Sequence, residues 1–177
     1  RVICPGRVYR ASRKIDITFD YVAWLQEVWA ERRPVRLHVV LDPMHGCWAG
    51  RARRYLHAIF PQLVLTPIHD TPDAVFDGRC PDSSRHELLE KLSETVDHQR
   101  ADLGIAFDGD GDRISIVDND GVILSGEESA AVLLGSFGEE LAGEAFVYDL
   151  KFSERMAEFA KSLQALPLVE RSGHSFV

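Results

Sequence analysis

Three aspartates stand at alternate positions in the run Asp108-Gly109-Asp110-Gly111-Asp112-Arg113. The glycines between them admit backbone conformations that other residues avoid, so the three carboxylates can converge. Two carboxylates about 4 Å apart repel by about 4 kcal/mol at an effective dielectric near 20. Three together therefore resist ionising, and their pKa values are expected to rise. A bound divalent cation removes the conflict, and an all-oxygen ligand set selects a hard ion, magnesium or calcium. An EF-hand loop opened by Asp108 needs glycine at its sixth position and glutamate at its twelfth; Arg113 and Asn119 stand there, so that reading fails. Three aspartates alone leave the ion short of ligands, to be completed by water or a substrate phosphate. Arg113 beside them suits phosphate oxygens. A single Asp-Gly is usually only a solvated turn, but two in tandem, closed by Asp-Arg and set between apolar runs, favour the cation site.

Those apolar runs are Leu103 to Phe107 and Ile114 to Val117, both expected as strands. The loop thus sits at the C-terminal end of a strand, where open α/β sheets bind ligands. Upstream, Phe19, Val22, Leu25 and Trp29 recur at helical spacing, with Asp16 or Thr18 available as a cap. Arg36 to Leu41 reads as a buried strand. Ala49, Ala52, Leu56 and Ile59 form a helical stripe ended by Pro61, and Leu63 to Ile68 is a second strand. Residues 69–82 read as a loop. Ser84-Arg85-His86-Glu87 matches a capping box ahead of a helix carrying Leu88, Leu89, Leu92 and Val96. Asn119-Asp120-Gly121 turns the chain back toward Val122-Ile123-Leu124. Glu128 to Phe137 reads as a helix, entered from a turn at Gly126-Glu127 and ending near Gly138. From about residue 144 the pattern restarts: strand Ala145 to Tyr148, a helix marked by Met156, Phe159, Ala160 and Leu163, and strand Leu166 to Val169. Alternating strands and helices imply β-α-β units with covered faces. The second unit, two strands and one helix, is too small for a core of its own and should lean on further material.

The 177 residues suffice for one α/β domain and part of another, and 45% hydrophobic residues allow a sizeable core. A net charge of −8 and a pI near 5.3 argue against broad nucleic-acid binding. Cys4, Cys47 and Cys80 are odd in number and show no C-x-x-C spacing, which disfavours a disulfide framework or a zinc site and suits the cytoplasm. No apolar run approaches a membrane span, so no membrane partner is expected. His38, His45, His69, His86 and His98 have no ligand spacing among themselves, and Trp24 and Trp29 read as packing residues. Both ends of the sequence read as cuts in a longer protein.

The stretch from Ala101 to Arg113 resembles the signature of the α-D-phosphohexomutase family, which includes phosphoglucomutases, phosphomannomutases and hexosamine-phosphate mutases. The likeness continues through Val117-Asp118-Asn119-Asp120-Gly121. Upstream, Val39 to Gly50 resembles the family's second-domain opening, where a strand passes through a small-residue turn into a helix. Downstream, Tyr148-Asp149-Leu150-Lys151 and Ser172-Gly173-His174-Ser175 resemble two third-domain segments. The Gly-His pair tilts the subtype toward glucose or mannose phosphates and away from hexosamine phosphates.

The resemblance implies a three-layer α/β/α mixed-sheet domain over residues 1–143, followed by the start of a second similar α/β domain over 144–177. It implies that Asp108, Asp110 and Asp112 hold Mg2+, with a phosphoserine from another domain completing the site. Arg113 would balance charge during phosphoryl transfer, and Lys151, Ser172, Gly173 and His174 would bind the phosphorylated hexose, Lys151 and His174 being candidates for proton transfer. Apart from the resemblance, Lys151 reads as a surface lysine and His174 as a loop histidine. No segment resembles the family's serine loop of Thr-Ala-Ser-His-Asn-Pro type or its Gly-Glu-x-Ser-Gly-His sugar-reading loop; Gly126-Glu127-Glu128-Ser129 imitates only half of the latter. The partners implied are a phosphohexose and the remaining domains of the same chain, and the chain alone is expected to be inactive. A non-catalytic cation-binding module and a hexosamine-phosphate mutase remain the alternatives.

Overall fold

The structure is a computed structural model and describes residues 15–31 and 36–173. Four strands form the central sheet: β1 (His38–Asp42), β2 (Val64–Pro67), β3 (Leu103–Phe107) and β4 (Ile114–Val117). Their order is β2-β1-β3-β4, with β1 parallel to both β2 and β3 and β4 antiparallel to β3. The sheet is mixed because the aspartate run joins β3 to β4 directly. Phe107 pairs with Ile114, leaving no length for a crossover helix between them.

Alternating side chains divide the core between the two faces of the sheet. On one face Val40, Ala106 and Val117 pack with Leu89, Leu92 and Val96 of the segment carrying helix α3 (Glu90–Gln99). On the other, Val39 and Leu41 pack with Ala52 of helix α2 (Ala52–Ile59), edged by Trp48, Ile105 and Phe107. The result is the expected α/β/α layering. Helix α1 (Thr18–Val28) lies on α2, with Tyr21 edge-on to Tyr55, Trp29 edge-on to Phe60, and the Gln26 side-chain amide donating to the Ala58 carbonyl at 2.7 Å. Its apolar stripe suggests a buried face, yet α1 buries none of its residues and Phe19 is 83% exposed. The helical spacing identifies the apolar side; α2, with 8 residues, is too short to cover it.

The capping box expected at Ser84–Glu87 does not form. The Ser84 hydroxyl donates to Asp82 at 2.8 Å, and Glu87 accepts from Arg85 at 2.6 and 2.8 Å, so both capping groups are taken by nearer partners. A single 3-10 turn (His86–Leu88) precedes α3 instead. A capping box does form at helix α4 (Gly126–Phe137). There the Ser125 hydroxyl accepts from the Glu128 amide and the Glu128 carboxylate accepts from the Ser125 amide.

The second unit comprises β5 (Ala145–Asp149), helix α5 (Glu154–Ser162) and β6 (Leu166–Glu170), with β5 and β6 paired in parallel. Its core consists of Met156, Ala160 and Ala165 together with Leu134 of α4. Thus α4, which precedes the division expected at 143/144, is packed into the second unit.

Candidate metal centre

Residues 108–113 form the loop of the β3–β4 hairpin, and Asp108 is its anchor. Its side chain is 1% exposed. One carboxylate oxygen accepts from the amides of Gly111 at 3.0 Å and Arg113 at 3.1 Å; the other accepts from the Arg113 Nε–H at 2.8 Å. Arg113 also donates from Nη1 to Asp82 at 2.9 Å, tying the hairpin to the end of the 69–82 loop. Two N–H groups of the guanidinium are thereby committed to carboxylates, so Arg113 acts first as the counter-ion of a buried aspartate.

Asp110 and Asp112 are exposed, and one oxygen from each of the three aspartates lies within 4.8 Å of the others. The pKa rise expected from crowding is found at Asp110, where the Asp112 carboxylate, and behind it that of Asp108, pushes the carboxyl upward. At Asp108 the expectation is reversed. Burial pushes its carboxyl up, but the Arg113 amide and guanidinium push it down and prevail. The loop therefore holds one firmly ionised, buried carboxylate and an exposed pair that repel each other. Such a set fits a hard cation: every donor is an oxygen, the second oxygen of Asp108 accepts only one bond and so keeps a lone pair, and an ion relieves the repulsion felt at Asp110.

The turn after β1 braces this loop, a contact that no local motif announces. The Cys47 amide donates to the Gly109 carbonyl at 3.0 Å, the Cys47 thiol to the Asp110 carbonyl at 2.9 Å, and the Trp48 indole N–H to the Gly111 carbonyl at 3.0 Å. Gly46 permits this approach, since a Cβ there would stand 2.7 Å from the Gly109 carbonyl oxygen. The readable signal was topological: β1 and β3 are parallel neighbours, so the loops leaving their C-terminal ends must meet. Beside the brace lies a buried pair in which Asp42, 0% exposed, accepts from the Met44 amide at 2.8 Å and bonds the His69 ring at 3.0 Å.

A second cluster forms at the C-terminal ends of β5 and β6. Asp149 accepts from the Lys151 amide at 2.8 Å and from the Ser172 hydroxyl. The Ser172 hydroxyl, and then the Lys151 amide, hold its carboxyl below the usual range. The Lys151 backbone and the Ser172 side chain are thus brought together through Asp149, a residue that spacing alone does not single out; Gly173 follows Ser172 in the chain. His174 lies outside the described residues. Among the described residues no helix is long and apolar enough to cross a membrane.

The chain is similar to several known proteins. A phosphomannomutase of Methanocaldococcus jannaschii is 30% identical over 139 residues, covering 78% of this chain and 30% of its own length. The crystal structure of a phosphoglucomutase/phosphomannomutase family protein from Burkholderia thailandensis superimposes with a TM-score of 0.79 at 26% identity, covering 90% of this chain and 34% of that one. An Aspergillus fumigatus N-acetylphosphoglucosamine mutase, solved with GlcNAc-6P and magnesium, shares the fold at a TM-score of 0.61 and 18% identity, covering 89% of this chain and 33% of that one. The chain therefore spans about a third of the length of these relatives. The sequence model of phosphoglucomutase/phosphomannomutase α/β/α domain II matches residues 19–121, from α1 through the hairpin that carries the three aspartates, and the chain belongs to that family.

Proposed function

We propose that this chain is the cation-holding part of a phosphosugar mutase that interconverts hexose 1-phosphates and hexose 6-phosphates, with glucose or mannose as the sugar. The observation that carries the reading is the convergence of Asp108, Asp110 and Asp112 on a braced hairpin loop. Family membership supports the reaction class, and the fungal relative was solved with magnesium and a hexosamine phosphate, GlcNAc-6P. The expected division at 143/144 is here moved upstream: the packing of Leu134 with Met156, Ala160 and Ala165 favours a second unit that begins with α4.

In this reading Asp108 is the fixed ligand, held ionised by the Arg113 amide and guanidinium, while Asp110 and Asp112 close on the ion from the solvent side. A magnesium ion bound there supplies positive charge toward the phosphoryl oxygens in flight. Phosphoryl transfer needs positioning and charge stabilisation more than covalent chemistry from the protein, so a rigid acidic loop suffices for this share of the work. Lys151 and Ser172, joined through Asp149, present a cationic and a hydroxyl group for the sugar phosphate, and His174 is the proposed proton carrier. The phosphoryl donor, a serine on another part of the full-length polypeptide, is not among these residues.

The test uses the full-length protein. Interconversion of glucose or mannose 1- and 6-phosphates should require magnesium, stop with chelator and return on readdition. Asp110→Asn should lower turnover by orders of magnitude while the protein stays folded. Full activity in excess chelator would end this reading, and turnover by residues 1–177 alone would refute the assignment of the donor serine elsewhere.

A further inference from the structure

The brace on the aspartate loop has a consequence for which ion the loop accepts. Calcium takes six to eight oxygen ligands at longer range and readily uses backbone carbonyls, whereas magnesium demands a tight octahedral set of few protein ligands. A hairpin loop containing two glycines could swing its carbonyls toward an ion. Here three consecutive carbonyls of the loop, those of Gly109, Asp110 and Gly111, each accept from a donor of Cys47 or Trp48. From the other side the Gly111 and Arg113 amides are held by Asp108.

Trp48 is itself firmly seated, its ring 5.8 Å from Phe107 at the end of β3 and edge-on to Tyr55 of α2 at 6.1 Å. Gly111 has φ +79°, and a Cβ there would stand 2.3 Å from the indole, so ring and loop are fitted together. Three of the loop's carbonyls are thereby tied to the turn after β1.

We infer that Trp48 and Cys47 are positioning residues that set the loop's preference for magnesium over calcium, by keeping three consecutive backbone carbonyls out of the ion's reach. This rests on the cation reading of the loop and adds its ion selectivity. Neither residue touches the ion; each acts through the backbone of the aspartates. Partners one layer out from a metal typically change its affinity by about 10- to 100-fold when removed.

The test measures Mg2+ and Ca2+ dissociation constants on the full-length protein, each by competition with Mn2+ followed by electron paramagnetic resonance. Trp48→Phe keeps the ring against Phe107 and Tyr55 but removes the one N–H. It should weaken Mg2+ binding about 10-fold, at the low end of that range, and Ca2+ binding far less, so that the ratio of the two constants moves toward calcium. Cys47→Ala should move the ratio the same way, and Cys47→Ser, which restores a donor to the Asp110 carbonyl, should return it. Folded Trp48→Phe and Cys47→Ala proteins with the wild-type ratio would overturn the inference. If Trp48→Phe fails to fold, the Cys47 pair decides, equal ratios in the alanine and serine proteins counting against it. Wild-type Mn2+ binding that is indifferent to Asp110→Asn would overturn the cation reading and this inference together, whereas Asp110-dependent binding with an unmoved ratio overturns this inference alone.

Discussion

Asp108 and Asp149 occupy matching places in their units, one just beyond the end of β3 and the other at the end of β5, each collecting backbone amides from the loop beyond its strand. Their surroundings differ. Asp108 is buried, paired with Arg113, and its loop is gripped from behind by Cys47 and Trp48. Asp149 joins two exposed loops through little more than the Ser172 hydroxyl and the Lys151 amide. The sheets beneath them differ in the same sense. In the first, both faces are covered, with Val40 at 0% and Leu41 at 1% exposure. In the second, Phe146 and Tyr148 face the helices while Val147, Leu166 and Leu168 on the other side remain 43–57% exposed. A sheet covered on both faces can hold a functional loop rigid by itself. A sheet covered on one face positions its loops only as well as whatever completes it.

This contrast is open to direct attack through the two cores. Leu92→Ala should cost the first unit about 3–4 kcal/mol, because Leu92 is fully buried against β3 and the hole cannot collapse between a helix and a sheet. Met156→Ala should cost the second unit about 2–3 kcal/mol, the flexible thioether leaving a site that neighbours can partly refill. All three tryptophans, Trp24, Trp29 and Trp48, lie in the first unit. Urea unfolding followed by tryptophan emission should therefore shift with Leu92→Ala and stay put with Met156→Ala, while far-UV circular dichroism shifts with both. Coincident shifts in both probes for Met156→Ala would mean that the two units unfold as one, and the comparison would lose its force.

Within the metal loop the same contrast separates Asp108 from Asp110. Asp108→Ala leaves two part-buried amides without their acceptor and frees the half-exposed Arg113 guanidinium to water, and should cost about 2 kcal/mol in urea unfolding without any ion. Asp110→Ala removes an exposed carboxylate that Asp112 and Asp108 repel, and should leave ion-free stability unchanged or slightly raised. It should also abolish the rise in melting temperature on adding Mg2+, measured by differential scanning calorimetry. If Asp108→Ala were as harmless as Asp110→Ala, the loop would not be pre-formed.

How much of this is legible in the sequence depends on range along the chain. β3 and β4 carry short apolar runs bounded by the aspartate loop, and their limits agree with expectation. Periodicity locates α1 but not its exposure, because spacing reveals which side is apolar and is silent on what meets it. The capping motif at Ser84 fails to competitors two residues away. The working one at Ser125 lies in a segment whose likeness to a sugar-reading loop draws attention from its local chemistry. Among the site residues the three carboxylates are plain from spacing. The donors from Cys47 and Trp48 reach across 63 positions, and only the adjacency of β1 and β3 brings them within bonding distance.

The smallest predicted effect concerns the helix that joins the two units. Ser125→Ala should cost about 1 kcal/mol through loss of the N-cap of α4. It should also change how stability responds to acid. The Ser125 amide and then its hydroxyl hold the Glu128 carboxyl below its ordinary range. A carboxylate whose folded pKa is depressed adds stability that is fully present above its unfolded value, near 4.3, and is lost as pH falls through the lower folded value. In wild type, far-UV stability should therefore decline through the region below about pH 4.3, partly because of this pair. Ser125→Ala keeps the amide and removes only the hydroxyl's share of this hold on Glu128, so the gap between wild type and variant should narrow slightly as the pH is lowered through that window. Because α4 belongs to the second core, the narrowing should appear in the circular dichroism transition and be absent from tryptophan emission. A gap that stays constant down to about pH 3, well under the unfolded value, or one that appears equally in both probes, would place α4 with the first unit or deny the cap its electrostatic share.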